Sequence, residues 1–216
     1  MKRQPAINDL LKVMAKLRSP KGCPWDREQT HLSLRRHAIE EIYELIDAIE
    51  ARDDHEMAEE LGDLLLQVVF HAQMAKERGA FDFETVARQQ VDKLIRRHPH
   101  VFGKVKVKNV DEVWANWEKI KRAEKLGTHR ERKSALDGIP KHLPALLRAE
   151  KLAKKARKAN LLAKNSGEEI SRANLGKKLF ALAEFAQSRG WSAEELLSDE
   201  IKRREREFRK LEKSKS

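Results

Sequence analysis

Five carboxylates lie in two short stretches of the chain, Glu40, Glu41 and Glu44 in the first and Glu60 and Asp63 in the second. On an α-helix of about 3.6 residues per turn, residues three apart share a face. Glu41 and Glu44 therefore lie on one helix face, and Glu60 and Asp63 lie on another. Where two such faces meet, their oxygens form a set of ligands for a cation.

Magnesium is the cation that this pattern favours. Ionised carboxylates that lie close together repel, and each is costly to bury. Apolar residues follow both stretches, with Leu45, Ile46 and Ile49 after the first and a largely apolar run at 64–70 after the second, so the carboxylates border a core. Mg²⁺ prefers hard oxygen ligands and is commonly completed by substrate phosphates. The alternative interpretation is the solvated face of a charged helix.

The carboxylates fall on helices predicted from apolar residues at helical spacing. We expect a cap at Asn8 or Asp9, a loop at 21–26 rich in Gly and Pro, and a helix that restarts at Gln29 and Thr30. The second long helix is apolar around most of its circumference after Asp63, which one small domain can hardly bury and which indicates a partner subunit. The predicted helices of the first half are 8–18, 34–51, 56–78, 83–97 and 110–126.

Cationic and aromatic residues outside the acidic stretches are candidates for substrate contacts. Lys93 and Arg97 lie four residues apart, and with Arg96 they form a cationic helix edge suited to phosphate oxygens. The alternative is a basic helix C-terminus that the helix dipole favours. Trp117 and Lys121 are likewise four apart and offer a flat apolar face and a cation.

Trp25 lies in the Gly/Pro segment and has two interpretations. Its indole could stack on a nucleobase near the acidic cluster, or it could plug the hydrophobic core. Burial is the commoner role of a large aromatic side chain, and the sequence favours it here.

Composition places the chain among charged helical proteins. Of 216 residues, 38% are charged and 40% hydrophobic, with only 9 Gly and 6 Pro. The single Cys23 excludes an internal disulfide, and no apolar run approaches the roughly 20 residues of a membrane span. We therefore expect a soluble, cytoplasmic protein with no membrane partner.

Net charge is distributed unevenly along the chain. Residues 1–103 carry 16 Lys+Arg and 18 Asp+Glu, a net charge of −2, whereas residues 104–216 carry 30 and 17, a net charge of +13. A basic half attracts polyanions. The alternative function is therefore a nucleic-acid-binding or regulatory helical protein, although no established nucleic-acid-binding motif is found in the sequence.

Five motifs occur in one order along residues 8–125. They are Gly22-Cys23-Pro24-Trp25-Asp26 with Gln29-Thr30, Glu40-Glu41-x-x-Glu44, Glu60-Leu61-Gly62-Asp63, Arg96-Arg97-His98-Pro99-His100-Val101-Phe102 and Trp117-x-x-x-Lys121. In combination they resemble the MazG family of nucleoside triphosphate pyrophosphohydrolases, within the all-α NTP pyrophosphatases. The resemblance implies an all-α helical bundle completed by dimerisation, as a homodimer or homotetramer. It also implies conversion of NTPs or dNTPs to NMP and pyrophosphate, a house-cleaning of the nucleotide pool, with Mg²⁺ as cofactor and Mn²⁺ as a substitute.

The resemblance also implies a role for each matching residue. The metal ligands are expected to be Glu41, Glu44, Glu60 and Asp63. Glu40 or Glu41 is expected to activate the attacking water, and the sequence does not choose between them. The expected substrate contacts are Lys93, Arg96, Arg97, Trp117 and Lys121.

The second half departs from the family pattern. Long members of the family carry two catalytic units, but here Asn174-Leu175-Gly176-Lys177 stands where the second Glu-x-Gly-Asp would be. A lysine in place of an aspartate repels a divalent cation, and the stretch from Lys151 to Ser171 is too short for a full Glu-Glu-x-x-Glu helix. The expected organisation is a catalytic domain at 1–126, a linker at 127–142 and a shortened, degenerate second repeat at 143–216.

Overall fold

The computed structural model describes residues 5–128, 131–163 and 169–215, and over these residues the fold is all-α, without a β-strand. The all-α prediction is thereby confirmed. Within the described residues, no helix combines the length and the apolar character needed to cross a bilayer. The start of the chain, parts of the expected linker and of the interval between Lys151 and Ser171, and the final residue lie outside the described residues.

The chain divides into two compact units, Met1–Ile120 and Lys121–Ser216. The expected boundaries at 126 and 143 stay predictions. The helices, in chain order, are α1 (Ala6–Leu17), α2 (Pro24–Glu28), α3 (Arg35–Ala51), α4 (Asp54–Glu77), α5 (Phe83–Arg97), α6 (Pro99–Phe102), α7 (Val110–Ala123), α8 (Ala145–Lys158), α9 (Arg172–Ser188) and α10 (Ala193–Ser214).

A helical hairpin, α3 and α4, forms the frame of the first unit. Only two residues join the helices, and both cap a helix end. Arg52 adopts a left-handed conformation (φ 58°) and donates its N–H to carbonyls of the last turn of α3. The carboxylate of Asp53 accepts hydrogen bonds from the backbone N–H groups of His55 and Glu56 at 2.9 and 3.1 Å. This short connection makes α3 and α4 antiparallel, so that residues far apart in sequence face each other.

The core of the first unit lies between α1, α4 and the residue that precedes α3. Met14 and Leu34 are each 1% exposed, and they pack with Val69, Phe70 and Met74 of α4. These contacts involve the half of α4 that lies beyond Asp63. The carboxylate half of the hairpin therefore lies at one end of the core, as the sequence predicts.

The second unit has a separate core between α8 and α10. Leu136, Leu152, Ile201 and Phe208 are buried there. The carboxylate of Glu212 accepts hydrogen bonds that tie the segment before α8 to α10. Asn174 and Lys177 lie near the start of α9, and the degenerate repeat stays a prediction.

Three local expectations in the N-terminal region are wrong. The first helix begins at Ala6, with Pro5 rather than Asn8 or Asp9 before it, and no side chain caps it. The expected loop at 21–26 contains the start of α2, because Pro24 is preorganised for the first helical position. No helix restarts at Gln29 and Thr30, because the hydroxyl of Ser33 accepts a hydrogen bond from the Thr30 N–H at 2.9 Å and donates one to the side chain of Gln29 at 2.8 Å.

Candidate metal centre

Glu41, Glu60 and Asp63 converge between α3 and α4. Each of the three half-buried carboxylates offers an oxygen, and these oxygens lie within 4.8 Å of one another. The antiparallel hairpin brings Glu41 of α3 opposite Asp63 of α4. Glu44, one turn further along α3, lies close enough for its carboxylate to raise the pKa of Glu41. The structure thus groups three of the four residues predicted as metal ligands, with Glu44 beside them, and the role of all four as ligands stays a prediction.

Crowding of these charges changes their protonation. Burial, followed by the charges of Asp63 and Glu44, raises the pKa of Glu41 above its ordinary value of 4.5. Burial and the charges of Glu44 and Asp63 likewise raise the pKa of Glu60. In both residues the shift means that the ionised carboxylate is disfavoured at this site. A cation would remove this penalty.

The donor set fits a hard divalent cation. All the candidate ligands are carboxylate oxygens, the ligand type that Mg²⁺ prefers. Glu60 Oε2 is buried and has no hydrogen-bond partner in the part of the chain that the structure describes. A buried polar atom without a partner is costly, and a bound ion is one way to satisfy it. The all-carboxylate ligand set and the unpartnered oxygen of Glu60 therefore both indicate a site for a metal ion.

We expect the Glu60→Gln variant, free of metal, to melt a few degrees above the wild type at about pH 8. Because the folded state raises the pKa of Glu60, it binds the proton more tightly than the unfolded chain does. Ionisation therefore destabilises the fold as the pH rises through the raised pKa, and the penalty disappears as the pH falls toward 4.5. Thermal melts of both proteins in a chelator, from about pH 5 to about pH 8, measure this difference.

Glu50→Gln is the matched control, because Glu50 lies on α3 and is exposed. It should melt like the wild type across the same pH range. Added Mg²⁺ should raise the Tm of the wild type more than that of Glu60→Gln, since a ligand stabilises the state that binds it. If the wild type were the more stable protein at the higher pH, the site would not be under charge strain.

Glu40 lies outside the group of three carboxylates. Its side chain is 61% exposed, and its Oε2 lies 3.2 Å from Nδ1 of His37 on the preceding turn. The structure thus separates the two candidates for water activation: Glu41 lies within the group, and Glu40 lies beside a histidine at its edge. Both assignments stay predictions.

The expected phosphate contacts lie on α5 and α7. Lys93 and Arg97 are half-buried and one turn apart on α5, and Arg96 beside them is exposed. Trp117 is half-buried on α7, and its ring lies 5.0 Å from that of Trp114. Lys121 follows one turn later and begins the second unit. The convergence of these side chains on the carboxylates stays a prediction.

A pair of histidines was not found by sequence reasoning. The rings of His31 and His71 are stacked, with centroids 5.0 Å apart and Nδ1 atoms 2.8 Å apart. Burial and the neighbouring His31 lower the pKa of His71, which favours its neutral form. The pair joins the segment before α3 to α4, about two helical turns beyond Asp63. No local signal in the sequence reveals the pair, because His31 precedes α3 and lies 40 residues from His71.

The fold and the site together define a class of protein: an all-helical protein whose carboxylates converge from two antiparallel helices as a candidate metal centre. Residues 29–102 match the MazG nucleotide pyrophosphohydrolase domain. This range includes every carboxylate of the centre, together with Lys93 and Arg97.

Curated relatives cover different shares of the chain. A nucleoside triphosphate pyrophosphohydrolase of Escherichia coli is 40% identical over 96% of this chain, which covers 87% of that protein. A nucleoside triphosphate pyrophosphohydrolase/pyrophosphatase MazG of Thermotoga maritima is 50% identical over 69% of the chain, which covers 56% of it. An uncharacterised protein of Bacillus subtilis, YabN, is 51% identical over 66% of the chain, which spans only 28% of its length. The chain belongs to the MazG family.

Proposed function

We propose that this protein hydrolyses nucleoside triphosphates, ribose or deoxyribose, to nucleoside monophosphate and pyrophosphate with Mg²⁺. The observation that carries the proposal is the convergence of Glu41, Glu60 and Asp63 within 4.8 Å. Family membership supports it, since relatives bearing the name nucleoside triphosphate pyrophosphohydrolase align with most of the chain.

The carboxylates of α3 and α4 would hold the metal. Glu41, Glu60 and Asp63 offer oxygens at the group, and Glu44 adjoins it. Bound Mg²⁺ would neutralise phosphoryl oxygens and acidify a coordinated water, and Mn²⁺ offers the same chemistry.

The remaining groups of the chain would bind the substrate and handle the proton. Glu41 or Glu40 would accept the proton of the attacking water, since general bases must lie within hydrogen-bond reach of that proton. Lys93, Arg96, Arg97 and Lys121 would bind phosphate oxygens and offset negative charge on the departing pyrophosphate. Trp117 would contribute an apolar surface to the nucleotide site.

The test is a panel of NTPs and dNTPs incubated with the purified protein and Mg²⁺. We expect equal amounts of nucleoside monophosphate and pyrophosphate, with activity lost in EDTA and restored by Mg²⁺ or Mn²⁺. Release of orthophosphate and nucleoside diphosphate would contradict the proposal. Glu41→Gln protein purified in the same way is the control for a contaminating phosphatase.

We propose further that two copies of the chain pair through the α3–α4 hairpin. Apolar side chains at helical spacing are exposed on both helices, and a soluble monomer rarely leaves so many apolar residues in one contiguous patch. Two hairpins that pack these faces together form a four-helix arrangement with a two-fold axis. The exposed apolar face consists of Ile39, Ile42, Tyr43, Ile46 and Ile49 of α3 and Leu61, Leu65 and Val68 of α4.

A further inference from the structure

Trp25 presents an exposed indole from a tightly held segment. The residue is 53% exposed, so its interpretation as a plug of the hydrophobic core is wrong. It lies in the first turn of α2, behind Pro24, and its carbonyl oxygen accepts a hydrogen bond from Nε2 of Gln29 at 3.0 Å. The backbone on both sides of the indole is therefore fixed.

Arg18 holds this segment against α4. Its guanidinium donates hydrogen bonds to the carbonyl oxygens of Asp26 and Gln29, and it forms a 2.8 Å ion pair with Glu77 of α4. The guanidinium also lies over the ring of Phe70, 5.5 Å from its centroid, and the side chain is only 9% exposed. A buried arginine whose guanidinium donates hydrogen bonds to carbonyl oxygens on both sides of a turn makes that turn rigid.

Gly22 shows how closely the same segment follows α1. A Cβ at this position would overlap the carbonyl oxygen of Leu17, so any other residue would force the two backbones apart. Burying an indole contributes a large apolar area to stability. A rigid segment that instead holds its indole in solvent gains no such stability, and a binding role explains that exposure.

The indole lies at one end of the carboxylate site. Its ring meets the ring of His37 edge to face, with centroids 6.2 Å apart and an interplanar angle of 66°. His37 Nδ1 lies 3.2 Å from Glu40, and Glu41 follows His37 by one turn, about 6 Å along the axis of α3. Trp25 therefore lies about one helical turn beyond the carboxylates, on the side of the N-terminus of α3.

A nucleoside triphosphate has charge at one end and a flat aromatic base at the other, separated by a ribose. With the triphosphate at the carboxylates, the base extends toward one end of the site. Resting on the proposed function, we propose that Trp25, supported at its edge by His37, is the stacking face for the nucleobase. Stacking accepts any base, because every base has a π-face. Trp25 would thus contribute affinity for nucleosides as a class rather than select one base.

The test begins with Trp25→Ala in the full-length chain. We expect KM for each NTP to rise by about tenfold to a hundredfold, the range that base–aromatic stacking supplies. We expect kcat to stay within about twofold, because the lost contact is equal in ground state and transition state. Trp25→Phe should recover most of the affinity, since it restores an aromatic face. Inorganic triphosphate, which has no base, should inhibit Trp25→Ala and wild type equally.

Trp191→Ala is the matched control. Trp191 is 54% exposed and packs edge to face against Phe185, 6.4 Å between centroids, in the second unit. Its substitution removes the same indole at the same exposure and should leave KM unchanged. A binding measurement separates affinity from turnover: a nucleoside monophosphate in EDTA should quench the fluorescence of wild type and Trp191→Phe to the same extent. The quench should be smaller in Trp25→Phe, where Trp117 remains at the proposed nucleotide site.

The outcomes separate this proposal from the proposed function. If no NTP is hydrolysed by the wild type, the proposed function fails, and the difference in monophosphate quenching between wild type and Trp25→Phe still reports on Trp25. If NTPs are hydrolysed but Trp25→Ala keeps the wild-type KM and monophosphate quenching is undiminished in Trp25→Phe, the stacking proposal fails alone. It also fails if Trp25→Ala weakens inorganic triphosphate as much as NTPs, or acts only by dissociating an oligomer in sedimentation.

Discussion

Glu41→Gln is expected to lower Mg²⁺-dependent pyrophosphate release by at least about 10³-fold, because a bound metal supplies several kcal/mol of transition-state stabilisation. The substitution keeps the size of the side chain and removes one anionic oxygen from the group of three. Glu60→Gln should lose activity to a similar extent. Pyrophosphate release at saturating substrate and several Mg²⁺ concentrations measures the effect.

The structure predicts which of these variants should lose more activity. Glu41 and Glu60 belong to the group of three oxygens, whereas Glu44 adjoins it through Glu41. Glu44→Gln should therefore lose less activity than the other two, and higher Mg²⁺ should recover part of it. Glu50→Gln, on the same helix and exposed, should keep wild-type turnover. Wild-type turnover in Glu41→Gln and Glu60→Gln, with circular dichroism unchanged, would contradict the metal assignment.

The same substitution at Glu60 should raise stability and remove activity. Burial, together with repulsion among the carboxylates, raises the pKa of Glu60, and its ionisation therefore destabilises the metal-free fold at neutral pH. The charges that make the fold less stable are those that bind the cation. This opposition is common where a site is built for a ligand rather than for the stability of the fold. A gain in Tm together with a loss of turnover distinguishes a metal site from a solvated acidic face, which predicts neither.

The hairpin that carries the site could be predicted from sequence because its signals agree. Apolar spacing, the acidic motifs and the polar turn place helices at 34–51 and 56–78, and the structure has Arg35–Ala51 and Asp54–Glu77. The third long helix, Phe83–Arg97, matches its predicted bounds. There Asp82 caps the first turn through the N–H of Thr85 at 2.9 Å. Local propensity and burial point the same way in these segments.

Features that depend on distant neighbours could not be predicted in this way. The exposure of Trp25 is set by Arg18 and Glu77, which fix its segment against α4. The stacking of His31 on His71 joins residues 40 apart in sequence. Net charge also could not predict which cations are available to bind a partner. Arg203, Arg204 and Arg209 of the basic half form ion pairs with glutamates one turn away on α10. Such paired cations are less available to a nucleic acid than the charge of +13 implies.

The second large effect is expected on the oligomeric state, when residues of the exposed apolar face are substituted. Ile42→Asp with Ile46→Asp is expected to weaken self-association by at least about 10³-fold, because each charge would be buried without a partner. Ile42 and Ile46 are 47% and 42% exposed on adjacent turns of α3, in the middle of the exposed apolar face. A two-fold axis places each substitution in the interface twice.

Sedimentation equilibrium of the double variant and the wild type measures this change. The matched control is Val13→Asp, because Val13 is 53% exposed on α1 and the substitution adds the same charge to a helix. Val13→Asp should leave the association of the wild type unchanged. A wild-type chain that sediments as a monomer, or a double variant that associates normally, would contradict pairing through the hairpin. Since α3 and α4 also hold the carboxylates, a variant that has become monomeric but keeps its helicity should be inactive. Added Mg²⁺ should not restore its activity.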